Sequence, residues 1–398
     1  MPRLLVEGWR FSLTSYAVVN QYQLLQMLDR PGLEVFHRDI PFFTSWRHIP
    51  GLLPPDDEGR LRAIPEPPPG LPIDASLRIA HPTLVATTEA RDAWCWVVTE
   101  FGILEQSRIA DGRPARDALN TPGVRFITIS NWSLQGLIRS GVDPARVVIV
   151  PCGFDPSLLH PLDPAQRDAL RASLGWKDKF VFLNVSTLVW NKGIAALLGA
   201  FAQIAQKHPN AVLVIKGSTE LLQSDRRLRE ALAAMPAPMA SLLSSRIQYL
   251  GQNATHADLA RYFQAADAYV SPYHAEGFNL PVLEAGACGL PVIVTKGGST
   301  DDFTHPDFAL HINAKVISHP ELDKNHGKGA CALVVDGEHL VHLMNQAITD
   351  PAVSQRARDL GPPWLRERFT WAKVTDRLLD ALFPGFASPG AATTGVGR

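Results

Sequence analysis

Short apolar runs recur along the chain, each followed by a loop and then by a segment whose apolar residues return every three or four positions. The first run is Leu4-Leu5-Val6; beyond the loop GWRFSLTS, the stretch SYAVVNQYQLLQML carries a helical repeat that ends at Asp29-Arg30-Pro31-Gly32. LEVFHRDI, WCWVVTEF and VRFITIS read as further strands, the last leading into the helix NWSLQGLIRSG and the strand RVVIVP. This alternation predicts a parallel sheet covered by helices. Residues 50–72 hold so many prolines that neither a helix nor a central strand is expected there, which makes them a long loop or an edge decoration.

The alternation restarts beyond residue 160. KFVFLNVST, AVLVIKG, RIQYLG, AYVSP and PVIVT read as strands; IAALLGAFAQIAQK, the run over 226–234, HADLARYFQAA and PVLEAGACG read as helices between them. The proline-rich stretch PCGFDPSLLHPLDPAQ reads as the connection between two units. The expected fold class is α/β, with two Rossmann-like, doubly wound parallel-sheet domains facing each other across a cleft. The expected divisions are 1–160, 161–363, a helix over 364–384 packing back toward the first domain, and a disordered tail over 385–398.

Composition narrows the function. The 398 residues are 46% hydrophobic and 19% charged, which is ordinary globular usage, so neither disorder nor a fibrous repeat is expected. Net charge is −1, with 15 basic and 17 acidic residues up to residue 160. No basic stripe is evident, which speaks against nucleic acid as a partner and gives no support to a peripheral membrane contact. No apolar run reaches the roughly 20 residues of a bilayer span, and MPRLLVEGWRFS lacks a signal peptide's apolar core, so a cytoplasmic location is expected. Cys95, Cys152, Cys288 and Cys331 are scattered without C-x-x-C spacing and are expected to be buried thiols.

The densest chemical signal is SPYHAEGFNLPVLEAGACGLPVIVT, residues 271–295. A strand ends at Ser271, a loop bears Glu276 and Gly277, and Pro281 suits the first turn of a helix that contains Glu284. The unpaired N–H groups of such a helix start form an anion site for a diphosphate, and Gly277 allows close backbone approach. Glu284, one turn in, could accept hydrogen bonds from the vicinal hydroxyls of a ribose, while Glu276 sits where a sugar would lie. Taken on the residues alone, a pair of solvated acids at a helix start is the simpler reading.

EGFNLPVLE resembles the E-x7-E motif of the retaining glycosyltransferases of family 4, glycosyl transferases group 1, whose usual pattern is Glu-Gly-Phe-Gly-Leu-Pro, a short apolar stretch and a second Glu. ISNWSLQGLIRSGVDPARVVIVPCGFDPSLLHP, NKGIAALLGAF and YLGQNATHADLARYFQAADAYVSP resemble that family's junction, lysine-glycine element and approach to the motif; the first 120 residues match only loosely. The resemblance implies the GT-B architecture, a first domain on the acceptor side, and a second domain that binds a nucleotide-sugar donor. It assigns Lys192 to the donor phosphates, Glu284 to the ribose, Glu276 to the donor sugar, and Gly277, Phe278, Asn279 and Leu280 to backbone contacts with phosphate and sugar. A lysine at a helix start is otherwise unfavourable, which a phosphate partner would explain.

Three departures qualify the resemblance. Thr187 stands where relatives often carry arginine. Gly8 is followed by WRFSLTSY rather than paired glycines, leaving Ser12, Thr14 and Ser15 as small polar substitutes whose alternative role is helix capping. Glu100 stands where many relatives place a histidine near the donor sugar, and is equally read as a solvated loop acid. His81 and His37-Arg38-Asp39 are candidates for the border of the acceptor cleft, and Trp9, Phe42, Phe43 and Trp46 for stacking on an acceptor sugar, with ordinary packing as the commoner alternative. Arg10 and Lys296 are reserve cations for the phosphates.

The resulting expectation is a retaining, hexosyltransferase-type enzyme that moves a sugar from a nucleotide-sugar donor to a hydroxyl of a glycan, lipid or small molecule. No cofactor and no metal is expected, because no aspartate-rich metal motif is evident. The alternatives are a nucleotide-sugar epimerase on a similar fold and a catalytically silent sugar-binding scaffold. The base, the sugar, the acceptor and the oligomeric state are not readable from these residues.

Overall fold

The apolar runs become the strands of two sheets. In the computed structural model, which describes residues 1–40 and 48–386, the first sheet comprises β1 (Arg3–Gly8), β2 (Glu34–Asp39), β3 (Ala75–Ile79), β4 (Asp92–Trp96), β5 (Val124–Thr128) and β6 (Val147–Ile149), in the order β2-β1-β3-β4-β5-β6. Every pairing in it is parallel, with Leu4 opposite Val35 and Ala75, for example. The second sheet comprises β7 (Phe180–Val185), β8 (Ala211–Lys216), β9 (Ile247–Leu250), β10 (Ala268–Ser271), β11 (Val292–Thr295) and β12 (Ala309–Ile312), in the order β12-β11-β10-β7-β8-β9, again all parallel. Helices cover both sheets because strands buried on two faces need apolar partners on both.

Each sheet reverses its winding once, between β1 and β3 in the first and between β7 and β10 in the second. In open α/β sheets the crevice beyond the carboxyl ends at such a reversal is where ligands bind. The helix expected over SYAVVNQYQLLQML forms as Ser15–Leu28, started by Thr14, whose side chain accepts a hydrogen bond from the Ala17 amide. One apolar core runs without interruption from Leu4, Leu77 and Ile127 of the first sheet to Val181, Leu183 and Val292 of the second.

The chain passes from one sheet to the other over residues 150–163 and returns at 369–371. The two crossings touch: the Phe154 amide donates to the Phe369 carbonyl at 2.9 Å and the Trp371 amide to the Phe154 carbonyl at 3.1 Å. A Cβ on Gly153 would collide with the Trp371 backbone, so this contact requires glycine. The returning helix, Trp371–Leu382, lies on Ser15–Leu28, where Trp371 stacks on Tyr22 and Asp376 pairs with Arg30 at 2.7 Å.

Two expectations need correction, and some strands lie outside what the sequence pattern predicted. Residues 50–72 contain a helix after all, Pro55–Arg62, because proline at the first helical position costs nothing and the rest of the segment, DDEGRLR, is free of it and buries Leu61. The single helix expected over 364–384 is the end of one helix, Pro351–Arg368, and the whole of another; Thr370 breaks the pattern by capping the second, accepting from the Lys373 amide. β3 passed unrecognised because ASLRI is short and carries a serine and an arginine, and Arg78 is buried there by pairing with Glu7 at 2.6 Å. β12 and the antiparallel pair β13 (Ala314–Ile317) and β14 (Ala332–Val335) are likewise absent from the predicted pattern.

The four thiols are free, with Cys331 only partly buried. No helix among the described residues is long and apolar enough to cross a membrane. Residues 387–398 of the expected tail lie outside the described residues.

Candidate active-site cleft

A cleft of about 440 Å³ opens between the carboxyl ends of the two sheets. Its second-sheet wall begins where the chain leaves the neighbouring strands β7 and β10. The loop 186–193 and the loop 272–279 are tied together by Asn191, whose side-chain amide donates to the Ala275 carbonyl at 2.8 Å and whose own carbonyl accepts from the His274 amide at 2.7 Å. Gly193 has φ of 70°, and a Cβ on it would overlap the Pro272 carbonyl oxygen. Only glycine meets both conditions at once.

This tie carries Lys192 to Glu276: Nζ lies 2.7 Å from Oε1, with both side chains largely buried. Burial alone would lower the lysine's pKa, but the Glu276 and Glu100 carboxylates outweigh it and the net shift is upward, so Lys192 is a firmly held cation. Burial raises the Glu276 pKa, helped by nearby Glu100 and opposed by Lys192. Glu100 experiences the same burial but is held below the usual carboxylate range by Arg108, 3.1 Å away, and by Lys192.

The helix start expected after the loop forms as Leu280–Ala287, with Pro281 in its first turn and no side chain capping its N-terminus. Asn279 precedes it at φ 80° and ψ 67°, the left-handed region. The resembling family's glycine at this place is thereby explained, and asparagine is the other residue that enters this region at low cost. Its side chain is held by a 2.9 Å hydrogen bond to Ser271 Oγ.

Of the residues singled out in the sequence, Ser15, Glu100, Thr187, Lys192, Glu276, Gly277, Phe278, Asn279 and Leu280 line the cleft, and Thr14 lines it too. Thr14 is the helix cap and Ser12 bonds to it at 2.9 Å, so capping accounts for both; Ser15 stays exposed. Gly277 acquires a reason beyond phosphate access: a Cβ there would overlap Val98 of the opposite wall, and its carbonyl accepts from Ser130 Oγ at 2.7 Å.

Glu284 does not line the cleft. It borders a small adjoining void with Tyr22, His256 and Leu259, and only Leu259 belongs to both spaces. Burial pushes its pKa up to about 7.

His37, Arg38, Asp39 and Trp9 stand away from the cleft lining. His37 is buried against Asn20, Arg38 pairs with Glu7, Asp39 pairs with Arg10 at 2.9 Å, and Trp9 is buried behind Tyr16. These are packing and ion-pair roles. His81 likewise packs against the Tyr16 ring rather than lining the cleft, Arg10 is committed to Asp39, and Lys296 is exposed elsewhere. Phe42, Phe43 and Trp46 lie outside the described residues.

Two cations escaped sequence reasoning. Lys216, at the end of β8, lines the cleft while only 8% exposed; Nζ donates to the Gly217 carbonyl at 2.6 Å, and it has no carboxylate partner among the described residues. A lysine ending an otherwise apolar strand, AVLVIK, was the available signal. Arg108 pairs with both Glu100 and Glu105 at 3.1 Å. It sits eight residues beyond Glu100 in a short 3-10 turn, and nothing local marked it.

Residues 166–361 match the sequence profile of the family described as glycosyl transferases group 1. A Corynebacterium glutamicum protein named GDP-mannose-dependent monoacylated alpha-(1-6)-phosphatidylinositol monomannoside mannosyltransferase is 27% identical over 58% of this chain and 55% of its own length. A Mycobacterium tuberculosis protein named D-inositol 3-phosphate glycosyltransferase is 27% identical over 73% of this chain and 57% of its own. The chain thus spans a little over half the length of these curated relatives. Among solved structures, HepE of Anabaena, crystallised in complex with UDP-glucose, superposes with a TM-score of 0.66 over 96% of this chain and 99% of its own at 17% identity. WaaG, a glycosyltransferase involved in lipopolysaccharide biosynthesis, superposes with a TM-score of 0.64 over 96% of this chain and all of its own at 13% identity. The fold is GT-B.

Proposed function

We propose that the protein is a member of glycosyltransferase family 4 that moves a hexosyl group from a nucleotide sugar to an acceptor hydroxyl with retention of configuration. The observation that carries this reading is the convergence of Lys192, Glu276 and the uncapped start of the Leu280–Ala287 helix at the winding reversal of the second sheet, facing a wall built by the first. That arrangement suits a diphosphate laid against the helix start, with the transferred sugar beside Glu276. The names of the relatives support the activity class, and the donors differ: GDP-mannose is named for one, and UDP-glucose is bound in the complex of another. The choice of base is therefore open to a screen of uridine, guanosine and adenosine diphosphate sugars.

In this reading, Lys192 leaves its pairing with Glu276 to meet the diphosphate, and Lys216 adds a second positive charge on the same wall. As the glycosidic bond breaks, negative charge grows on the departing phosphate, where preorganised donors lower the barrier most. The departing phosphate takes the acceptor proton on the same face of the sugar, so the protein supplies orientation and charge rather than a nucleophile. Glu284 is assigned to the ribose through the small void it borders. The diphosphate's charge is assigned to the lysines and the helix start rather than to a metal.

Proton NMR of the first product decides stereochemistry, with retention expected, and transfer is expected to survive a chelator. An inverted linkage would overturn the family assignment. Complete loss of transfer with chelator would overturn the metal-free assignment alone. Conversion of the donor to an isomer without any acceptor would identify the protein as an epimerase.

A further inference from the structure

Two carboxylates of the cleft lining, one from each wall, converge on Lys192. Glu276 meets its Nζ at 2.7 Å, and Glu100 lies close enough to help raise the lysine's pKa. Glu100 is placed by contacts from both halves of the chain. Its backbone carbonyl accepts from the Trp132 indole at 2.7 Å, Arg108 lies 3.1 Å from its Oε2, and the Asn191 amide reaches the same oxygen at 3.4 Å. Both side-chain contacts fall on Oε2, which leaves Oε1 for a ligand, and 27% of the side chain is exposed. Arg108 itself is outside the cleft lining; it is shared with Glu105 at 3.1 Å, and Glu105 in turn meets His326 Nδ1 at 2.9 Å.

Arg108 and Lys192 together balance the Glu100 charge and keep its carboxyl ionised. A diphosphate alters that balance by drawing Lys192 to itself. Glu100 and Glu276 then face the sugar, with Arg108 already divided between Glu100 and Glu105. Burial favours the protonated form of Glu276, so that residue can shed its charge, whereas Glu100 keeps its own through Arg108. An ionised carboxylate only accepts hydrogen bonds. A sugar hydroxyl can donate to it. A sugar carboxylate cannot, and would bring a further like charge into a partly buried site, where repulsion is stronger than in water.

We propose, resting on the donor reading above, that the transferred sugar is a neutral hexose rather than a hexuronate, and that Glu100 discriminates between them, its Oε1 accepting from a hydroxyl of the donor sugar. Arg108 acts through Glu100, as the positioning residue that holds the carboxylate in place.

The test is calorimetric and uses the full chain. UDP and GDP are titrated first, and the tighter of the two sets the pair of donors: UDP-glucose with UDP-glucuronate, or GDP-mannose with GDP-mannuronate. The neutral donor is expected to bind at least tenfold more tightly than its uronate. Glu100→Gln, which keeps the shape and removes the charge, is expected to narrow that ratio to less than threefold while changing the Kd of the free nucleoside diphosphate by less than twofold. Arg108→Ala should narrow the ratio likewise, and Arg108→Lys should restore most of it. The proposal falls if the uronate binds equally well or better, if only the free nucleotide binds, if Glu100→Gln leaves the ratio at tenfold or more, or if that variant weakens free nucleotide and donor together. A ratio unchanged in Arg108→Ala overturns the positioning role. A chain that binds neither nucleotide refutes the donor reading, and this proposal with it.

Discussion

The wall built by the second sheet and the wall built by the first reach the same cleft by different means. The second-sheet wall is a matter of backbone: two neighbouring strands end, two loops are tied by Asn191, and a helix starts uncapped after a left-handed Asn279. Its charges are few and positioned by that backbone. The first-sheet wall is a matter of side chains drawn from distant segments, 13–19, 96–100 and 129, mostly apolar but including Thr14, Ser15 and Glu100. In the proposed reading, a wall that binds the same diphosphate in every substrate gains from fixed amides, whereas one that meets a variable acceptor gains from exchangeable side chains. Substitutions on the second-sheet wall should therefore alter turnover and nucleotide affinity whichever acceptor is used.

The largest expected effect is that of Lys192→Ala. Removing a cation aimed at the charge that develops on the leaving group lowers turnover by on the order of a hundredfold or more. Stability will fall too, because Glu276 would be left largely buried and unpaired, at a cost of up to about 3 kcal/mol. The double variant Lys192→Ala with Glu276→Gln separates the two effects: the melting temperature should recover while turnover stays low. Near-normal turnover in either variant would transfer the role to Lys216, the other cation of this wall.

Gly193→Ala should come next. A left-handed φ costs a non-glycine residue about 1–3 kcal/mol, and the overlap with the Pro272 carbonyl adds to it by pushing the two loops apart. Lys192 directly precedes this glycine, so a displacement near 1 Å should reduce turnover by roughly ten- to a hundredfold. A melting temperature and turnover both equal to wild type would show that the tie between the loops does not position the lysine.

The same contrast explains what could be read in the chain. Strands β7 and β10 and the helix after them were legible because Val, Ile and Leu runs, Gly193, Asn279 and Pro281 impose their conformations locally. Tyr16, Trp96 and Ile129 were equally visible, but as core residues of a helix and two strands, since nothing in their own neighbourhoods says that three segments meet. Arg108 belongs to the same class, for its partner Glu100 is fixed only by the fold. The errors in the fold have local causes instead: prolines weighed as breakers although Pro55 stands at a helix start, and a cap at Thr370 hidden inside a continuous helical repeat.

Glu284 offers a smaller and pH-dependent effect. If its carboxylate holds the ribose hydroxyls, Glu284→Gln weakens a free nucleoside diphosphate by about 1.5–3 kcal/mol above pH 7, tenfold or more in Kd. With its pKa pushed up to about 7, the carboxyl is protonated below that pH, so the difference between wild type and variant should shrink as pH falls through 7. Stability runs in a related sense. The folded state holds the proton more tightly than the unfolded one, so between about pH 4.5 and 7 wild-type stability falls as pH rises. The glutamine variant lacks that fall and should melt higher than wild type above pH 7. An affinity difference that is absent, or independent of pH, would remove Glu284 from the ribose.

The smallest effect is expected at Asn279→Gly, and its smallness is informative. Glycine enters the left-handed region without a Cβ penalty, which favours the variant, while the unfolded chain gains freedom and the hydrogen bond to Ser271 Oγ is lost, which oppose it. Each contribution is about 1 kcal/mol or less, so the net change in stability should stay within about 1 kcal/mol of zero. Turnover and nucleotide affinity should stay within about threefold of wild type, because backbone amides rather than the Asn279 side chain face the diphosphate in the proposed arrangement. Asn279→Val supplies the control, since a β-branched residue is strongly disfavoured at positive φ and should disturb the helix start. A tenfold or greater loss in the glycine variant would mean that the asparagine side chain itself contacts the donor. The second-sheet wall would then depend on side chains as the first does.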